Sequence, residues 1–172
     1  MAGSNPQYYW DTCIFLAWLK DEKTRKPGEM DGVREYINRL NKRQVSLMTS
    51  VLTLTEISVA KIPAGTDGLL DQVMQRPNMA KLPVDMRIAK LARDLRNFYI
   101  SKNGPSGMTL TVPDALHIAT AILYKANEFH TFDEHDKPKS RALGLIPLSG
   151  NVAGHNLKIC KPEAKQMGIP GV

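Results

Sequence analysis

The sequence has few cysteines and no long apolar run, and these shortages exclude several classes of protein. Two cysteines, Cys13 and Cys160, in 172 residues are too few for a disulfide scaffold, and there is no CxxC pair to suggest structural zinc. No stretch of 18 apolar residues is present, so we expect no membrane span. The first residues lack the apolar segment of a secretory signal. Together these features favour a reducing, cytoplasmic location.

What the chain does contain is ordinary for a globular protein. Hydrophobic residues make up 42% of the chain and charged residues 23%, which excludes wholesale disorder. The length favours a single domain. Lys and Arg number 23 against 17 Asp and Glu, a net charge of +6. This balance weakly favours an anionic partner.

Short apolar runs alternate with helical periodicity along the chain. We predict strands over residues 7–10, 45–48, 128–132 and 144–148, and either a strand or a tail segment over 157–160. Helices are predicted over 12–19, 31–41, 50–62, 69–74, 85–99 and 113–126. Residues 75–84 are interpreted as a proline-punctuated connection. This alternation predicts the α/β class, as a three-layer α/β/α sandwich with a mostly parallel central sheet.

Acidic residues fall where such a sheet would place a ligand. Asp11 ends the first strand, Glu56 lies in the helix after the second, Asp114 is in the first turn of the last helix, and Asp133 and Asp136 follow the third strand. Ligands of open α/β sheets bind outside the carboxyl ends of the strands. Clustered carboxylates stay ionised only around a cation, and an all-oxygen set suits Mg²⁺ or Mn²⁺.

Each acid alone also has a structural interpretation. Asp11 is a good helix cap, Asp114 is favoured at a helix N-terminus, and Glu56 could face solvent. Asp133 and Asp136 are common turn residues. These separate interpretations leave unexplained why all five fall at strand ends or in the helices that follow them.

Other functional groups give weaker signals. Basic residues near the same edge, among them Arg25 and Lys137, are candidate phosphate contacts, although a charge run is usually only a solvated surface. The four histidines have no metal-ligand spacing, and we expect His117 to be buried rather than catalytic. No Walker A, GxGxxG or GxSxG motif is present.

Four segments, taken in order, resemble the motifs of PIN-domain nucleases. They are WDTCIF at residues 10–15, SVLTLTEI at 50–57, PDALHIATA at 113–121 and HTFD at 130–133. The resemblance covers residues 7–149. It implies a nuclease domain over 1–149, with residues 150–172 as a C-terminal extension packed on that domain or trailing from it.

The resemblance also implies a function and a site. The function is metal-dependent endonucleolytic cleavage of single-stranded RNA, often as the toxin of a VapC-type toxin–antitoxin pair. Asp11, Glu56, Asp114 and Asp133 match the family's catalytic, metal-binding acidic quartet. Asp136 matches a frequent fifth acid that also binds metal, and Thr131 a hydroxyl residue that orients ligands or water.

Partners and alternatives follow from the same resemblance. The cofactor is expected to be Mg²⁺ or Mn²⁺, and the partners RNA, an antitoxin protein and a second copy of the chain as a homodimer. We expect Asp11, Asp114 and Asp133 to coordinate the metal, Glu56 to fix a second ion or a water on it, and Asp136 to assist at the rim. The alternative is a PIN-like RNA- or protein-binding module without a toxin role.

Overall fold

The computed structural model describes residues 5–164, and a five-stranded parallel sheet runs through its centre. The strands are β1 (Gln7–Trp10), β2 (Ser46–Ser50), β3 (Met79–Leu82), β4 (Glu128–His130) and β5 (Ile159–Cys160). Their order across the sheet is β3-β2-β1-β4-β5, and every neighbouring pair is parallel. All five carboxyl ends therefore lie along one edge, with β1 in the middle.

The helices connect the strands and cover the sheet. They are α1 (Thr12–Lys20), α2 (Glu29–Asn41), α3 (Leu52–Glu56), α4 (Asp67–Met74), α5 (Met86–Asn103) and α6 (Val112–Leu123). Side chains of the preceding residues cap three of them: Asp11 accepts from Thr12 N, Asp85 from Ile88 N, and Thr111 from Asp114 N. These caps satisfy amide groups that have no partner within the helix.

Alternation along β1 divides the core between the two faces of the sheet. Tyr8 and Trp10 belong to one buried cluster, which α1, α2 and α4 complete, and Tyr9 belongs to a second, which α5 and α6 complete. Successive side chains of a strand point to opposite faces, so a sheet buried on both sides needs two helical layers. The predicted three-layer α/β/α sandwich with a parallel sheet is confirmed.

Three local predictions are wrong. The helix expected over residues 50–62 ends at Glu56, because Ile57 is extended and only a 3₁₀ turn at Val59–Lys61 follows. The β-branched residues of this stretch lower helix propensity. The connection expected over 75–84 contains β3. The strand expected over 144–148 is a 3₁₀ turn at Ile146–Leu148, because the amides of Leu145 and Ile146 both donate to the Asp133 carbonyl.

The chain beyond residue 149 packs on the sheet as far as the structure describes it. β5 pairs with β4, and Val152, Leu157 and Ile159 are buried in the second cluster. Residues 165–172 of the expected extension lie outside the described residues, and the domain boundary at 149 stays a prediction. No helix within residues 5–164 is long and apolar enough to cross a membrane.

At Gly32 on α2, the C-terminal segment lies directly against the helix backbone. A Cβ atom at this position would lie 1.8 Å from the carbonyl oxygen of Pro162. Beside it, Lys161 Nζ lies 2.6 Å from Glu29 Oε1 on the same helix and also pairs with Glu134. The absence of a side chain at Gly32 therefore allows residues 161–162 to lie against α2.

Replacing Gly32 by Ala should destabilise the fold. The methyl group collides with backbone and forces the segment off α2, which we expect to cost about 1–3 kcal/mol in the free energy of unfolding. Chemical denaturation measures this cost.

Gly68→Ala is the matched control, because Gly68 lies in α4 and a Cβ atom added there would have no other atom within 4 Å. That variant should be as stable as the wild type or more stable by up to about 1 kcal/mol. Equal stability of Gly32→Ala and the wild type would show that the close approach to Pro162 is not maintained in solution.

Candidate active site

Four of the five predicted acids meet in one pocket at the carboxyl edge of the sheet. Asp11 follows β1 directly, Glu56 ends the helix after β2, Asp114 lies in the first turn of α6, and Asp133 follows β4. All four line a cavity of about 440 Å³. The parallel register of β1 with both β2 and β4 brings these segments to the same place.

Thr131 and the start of α1 hold the Asp11 carboxylate. Thr131 Oγ1 donates to Asp11 Oδ2 at 2.9 Å, and the amide of Thr12 donates to Asp11 Oδ1 at 2.6 Å. Thr131 Oγ1 in turn accepts from the amide of Asp133 at 3.1 Å. The hydroxyl expected to support the site thus connects two of its acids.

A buried chain of hydrogen bonds holds Glu56. His117 Nε2 lies 2.8 Å from Glu56 Oε2, and Thr12 Oγ1 donates to the same oxygen. Behind it, His117 Nδ1 lies 2.7 Å from the hydroxyl of Tyr9, which accepts from the amide of Ser50 at 2.9 Å. In the neutral imidazole, Nδ1 accepts a hydrogen bond from the Tyr9 hydroxyl, and the ring hydrogen on Nε2 is donated to Glu56.

Asp114 and Asp133 are held by neighbours in sequence. Thr111 Oγ1 donates to Asp114 Oδ2 and accepts from the amide of Asp114 at 3.2 Å. Lys137 Nζ donates to Asp133 Oδ2 at 2.7 Å. Each of the four acids therefore has one oxygen fixed by a side chain, a threonine hydroxyl in three cases and a lysine ammonium in the fourth.

The surroundings shift the pKa values of two of these acids in opposite directions. Burial raises the pKa of Asp114 above its ordinary value, and the charges of Asp11 and Asp133 add to the effect against the hydrogen bond from Thr111. Burial also raises the pKa of Glu56, but the hydrogen bonds from His117 and Thr12 outweigh it and the pKa is lowered. The pocket thus carries negative charge that its own donors only partly compensate.

Asp136, the fifth predicted acid, does not line this pocket. Its side chain is exposed, and its Oδ1 accepts from the amide of Gly144 at 2.8 Å. That hydrogen bond links the loop after β4 to residues 142–145. It is the structural role in a turn, which is the alternative interpretation of an aspartate at this position. Its proposed role as a metal ligand has no support from this geometry.

Three basic side chains line the same pocket. The Arg25 guanidinium stacks 3.8 Å above the ring of Phe132, and its Nε lies 2.6 Å from Glu22 Oε2. Lys61 Nζ donates to the backbone carbonyl of Glu56 at 2.9 Å. Lys137, on Asp133, is the third. The acids are therefore bordered by cations able to contact a polyanion.

Cys13 is the other reactive group in the pocket wall. Its Sγ accepts from the amide of Phe132 at 3.3 Å, and burial, followed by the charge of Asp11, raises its pKa well above the ordinary value. The raised pKa disfavours the thiolate form that a cysteine nucleophile requires.

A second group of possible metal-ligand atoms lies between β4 and β5, at the β5 edge of the sheet. Within residues 5–164, Glu128, His130 and Cys160 are the one trio of acidic, histidine or cysteine residues whose ligand atoms all lie within 4.8 Å of one another. Trp10 Nε1 donates to His130 Nδ1 at 3.1 Å, so the neutral ring carries its hydrogen on Nε2, which faces Glu128. Lys158 Nζ occupies the other Glu128 oxygen at 2.7 Å. A metal on Nε2 would require a hydrogen on Nδ1 facing the indole N–H, so these residues do not fit a metal.

The acidic pocket fits a hard, hydrated divalent cation. Its donors are all carboxylate oxygens, and three of the acids have an oxygen with no hydrogen-bond partner among the described residues: Glu56 Oε1, Asp114 Oδ1 and Asp133 Oδ1. The four carboxylates surround the cavity without converging on one point as closely as the trio above. Mg²⁺ usually keeps several of its waters and binds through one or two carboxylates, so this spacing suits it.

Several residues of the site were not predicted as such. Thr111 precedes Asp114 by three residues, the spacing of a helix cap, and that signal could have identified it. His117 follows Asp114 by three residues on the same helical face, and it is buried as expected. Its contact with Glu56 joins positions 61 residues apart, and no local pattern reports such a contact.

Comparison with known proteins gives one family and a fold. The model of the PIN domain family matches residues 8–137. No curated protein matches by sequence. Among solved structures, VapBC2 from Rickettsia felis, determined with a DNA fragment from its promoter, is 16% identical with a TM-score of 0.56, over 89% of this chain and 98% of that one. FitAcB from Neisseria gonorrhoeae is 20% identical with a TM-score of 0.48, over 73% and 87% of the two chains.

The hydrogen-bonded chain behind Glu56 predicts a change in the pKa of His117. Burial lowers the pKa of His117, but the hydrogen bond with Glu56 and the charges of Asp11, Glu56 and Asp114 outweigh it, so the pKa lies above the ordinary value. Glu56→Gln removes the nearest charge, so the pKa of His117 should fall. NMR titration of the imidazole in metal-free protein measures it.

The control variant for this titration is Asp71→Asn. It removes an exposed carboxylate from α4, which lies on the other side of the sheet from the helix that carries His117. It should leave the pKa of His117 unchanged. A His117 pKa that is the same in Glu56→Gln and the wild type would mean that the two side chains are not in contact.

Proposed function

The chain belongs to the PIN domain family, and on this premise we propose that it is a divalent-metal-dependent endoribonuclease that hydrolyses phosphodiester bonds of single-stranded RNA. The observation that carries the proposal is the pocket of four carboxylates delivered by four separate segments. Each has at least one oxygen fixed by a donor, and three keep an oxygen with no hydrogen-bond partner among the described residues. Mg²⁺ or Mn²⁺ is the cofactor that this donor set fits.

Asp11, Asp114 and Asp133 are proposed to hold the metal, together with Glu56 as a metal-binding and catalytic acid. A bound divalent ion supplies charge compensation to the phosphate and lowers the pKa of water at the site. Thr131 keeps the Asp11 carboxylate in place. Burial, together with the charges of Asp11 and Asp133, raises the pKa of Asp114, and a nearby cation would favour its ionised form.

Glu56 is proposed to orient the attacking water. His117 and Thr12 both hold its Oε2, and this leaves Oε1 with no partner among residues 5–164. An acceptor fixed in this way can take a hydrogen bond from a water and hold it in line with the leaving oxygen. The lowered pKa of Glu56 keeps the carboxylate ionised for this task.

The basic residues at the pocket are proposed to bind the RNA strand. Arg25 and Lys61 come from separate segments, the α1–α2 loop and the turn after α3, and both line the cavity. Phosphate contacts by such side chains position a strand without reading its sequence. The open pocket at the sheet edge suits a flexible single strand.

We also propose the biological setting implied by the motif resemblance. The chain would be the toxin of a toxin–antitoxin pair, act as a homodimer in the cytoplasm and be restrained by an antitoxin protein. Its two described cysteines are free, as a reducing compartment requires. We expect induction of the wild type to arrest growth and induction of a variant that cannot cleave RNA to leave growth unchanged. A binding module without a toxin role would instead bind RNA without cleaving it.

Asp11→Asn should reduce Mg²⁺-dependent cleavage of a labelled, mixed-sequence single-stranded RNA by at least about 100-fold. The substitution removes a negative charge from the metal site but keeps an oxygen that can cap α1, so the fold should be retained. Gel analysis of the products and circular dichroism of the variant measure the two effects. EDTA should abolish cleavage by the wild type.

Asp136→Asn is the control, because it neutralises an exposed acid that bonds only to the Gly144 amide among the described residues. It should retain cleavage within about threefold of the wild type, since surface substitutions of this kind have small effects. Undiminished cleavage by Asp11→Asn, or by the wild type in EDTA, would contradict the proposed function.

A further inference from the structure

Asp133 differs from the other acids of the pocket in the kind of group that holds it. Asp11 and Asp114 each accept from a neutral threonine hydroxyl, and Glu56 accepts from a threonine hydroxyl and from His117. Asp133 accepts from the ammonium of Lys137 at 2.7 Å. A hydroxyl orients a carboxylate and leaves its charge available to a metal, whereas an ammonium compensates that charge directly.

The other two basic side chains at the pocket form no ion pair with the four acids. The guanidinium of Arg25 is fixed between Phe132 and Glu22, and Lys61 donates to a backbone carbonyl. Within residues 5–164, Lys137 is the one lysine or arginine whose side chain contacts a carboxylate of the quartet. Any ion that binds at Asp133 therefore meets a single competing charge.

The backbone of Lys137 is fixed by two hydrogen bonds, whereas its side chain is mostly exposed to solvent. Its amide donates to the carbonyl of Ala142 at 2.7 Å, and its own carbonyl accepts from the amide of Ala142 at 3.2 Å. The side chain is 55% exposed, against 13% for that of Asp133. A partly exposed ion pair of this kind is weak, so a divalent cation can break it at small cost.

We propose that Lys137 is a built-in counter-ion of the acidic pocket, which competes with the divalent cation for Asp133 and so sets the affinity of the site for metal. The inference rests on the proposed metal-dependent function. In the metal-free protein, Lys137 relieves part of the repulsion among four neighbouring carboxylates. Binding of the ion displaces the ammonium into solvent, where its exposed side chain already extends.

The test is isothermal titration of Mn²⁺ into metal-free protein at fixed ionic strength. Lys137→Met and Lys137→Gln should bind Mn²⁺ roughly three- to tenfold more tightly than the wild type, because no ion pair has to be broken. A residue that merely supported the pocket would weaken binding when removed, so the sign of the change separates the two roles.

Two further variants control for charge in general. Lys139→Met removes an equal charge two residues away, from an exposed side chain with no ion pair among the described residues, and Lys137→Arg keeps a cation on Asp133. Both should bind Mn²⁺ within about twofold of the wild type. Unchanged or weaker binding by Lys137→Met and Lys137→Gln would overturn the inference. Absence of Mn²⁺ binding in every protein, wild type included, would instead overturn the metal-dependent function on which it rests.

Discussion

Four carboxylates meet at the carboxyl edge of a parallel sheet, and the groups around them are arranged to offset their mutual repulsion. A different side chain donates to each acid: Thr131 to Asp11, Thr12 to Glu56, Thr111 to Asp114 and Lys137 to Asp133. Charge-assisted hydrogen bonds of this kind lower the cost of keeping a partly buried carboxylate ionised. The donors leave one oxygen each of Glu56, Asp114 and Asp133 without a hydrogen-bond partner among the described residues.

The positions of the pocket acids and the supporting role of Thr131 could be predicted from the sequence, but the contact of Glu56 with His117 could not. Asp11 and Asp133 follow strands, and a parallel sheet brings strand ends together whatever the details of packing. The contact of Glu56 with His117 joins positions 61 residues apart, and α3 ends at Glu56 instead of continuing through residue 62 as predicted. Asp136 shows the opposite case, since its spacing after Asp133 matched the site while its side chain bonds to a loop amide.

Compactness of a ligand cluster is a poor guide to a metal site in this protein. Glu128, His130 and Cys160 are closer together than the pocket acids. The indole N–H of Trp10, however, donates to Nδ1 of His130 and so fixes the hydrogen of the neutral ring on Nε2. Burial, followed by the charge of Glu128, raises the pKa of Cys160 to about 12. These side chains satisfy one another between β4 and β5. The pocket acids, in contrast, keep open oxygens around a cavity large enough for an ion with its waters.

The location of the ion tests this distinction most directly. Crystals grown with Mn²⁺ can be measured on both sides of the manganese absorption edge, which identifies the metal by its anomalous scattering. The structure predicts an anomalous peak in the pocket, in contact with carboxylate oxygens among Asp11, Asp114 and Asp133, with Lys137 Nζ moved off Asp133. A peak at Glu128, His130 and Cys160, or the absence of any peak in the pocket at saturating Mn²⁺, would contradict it.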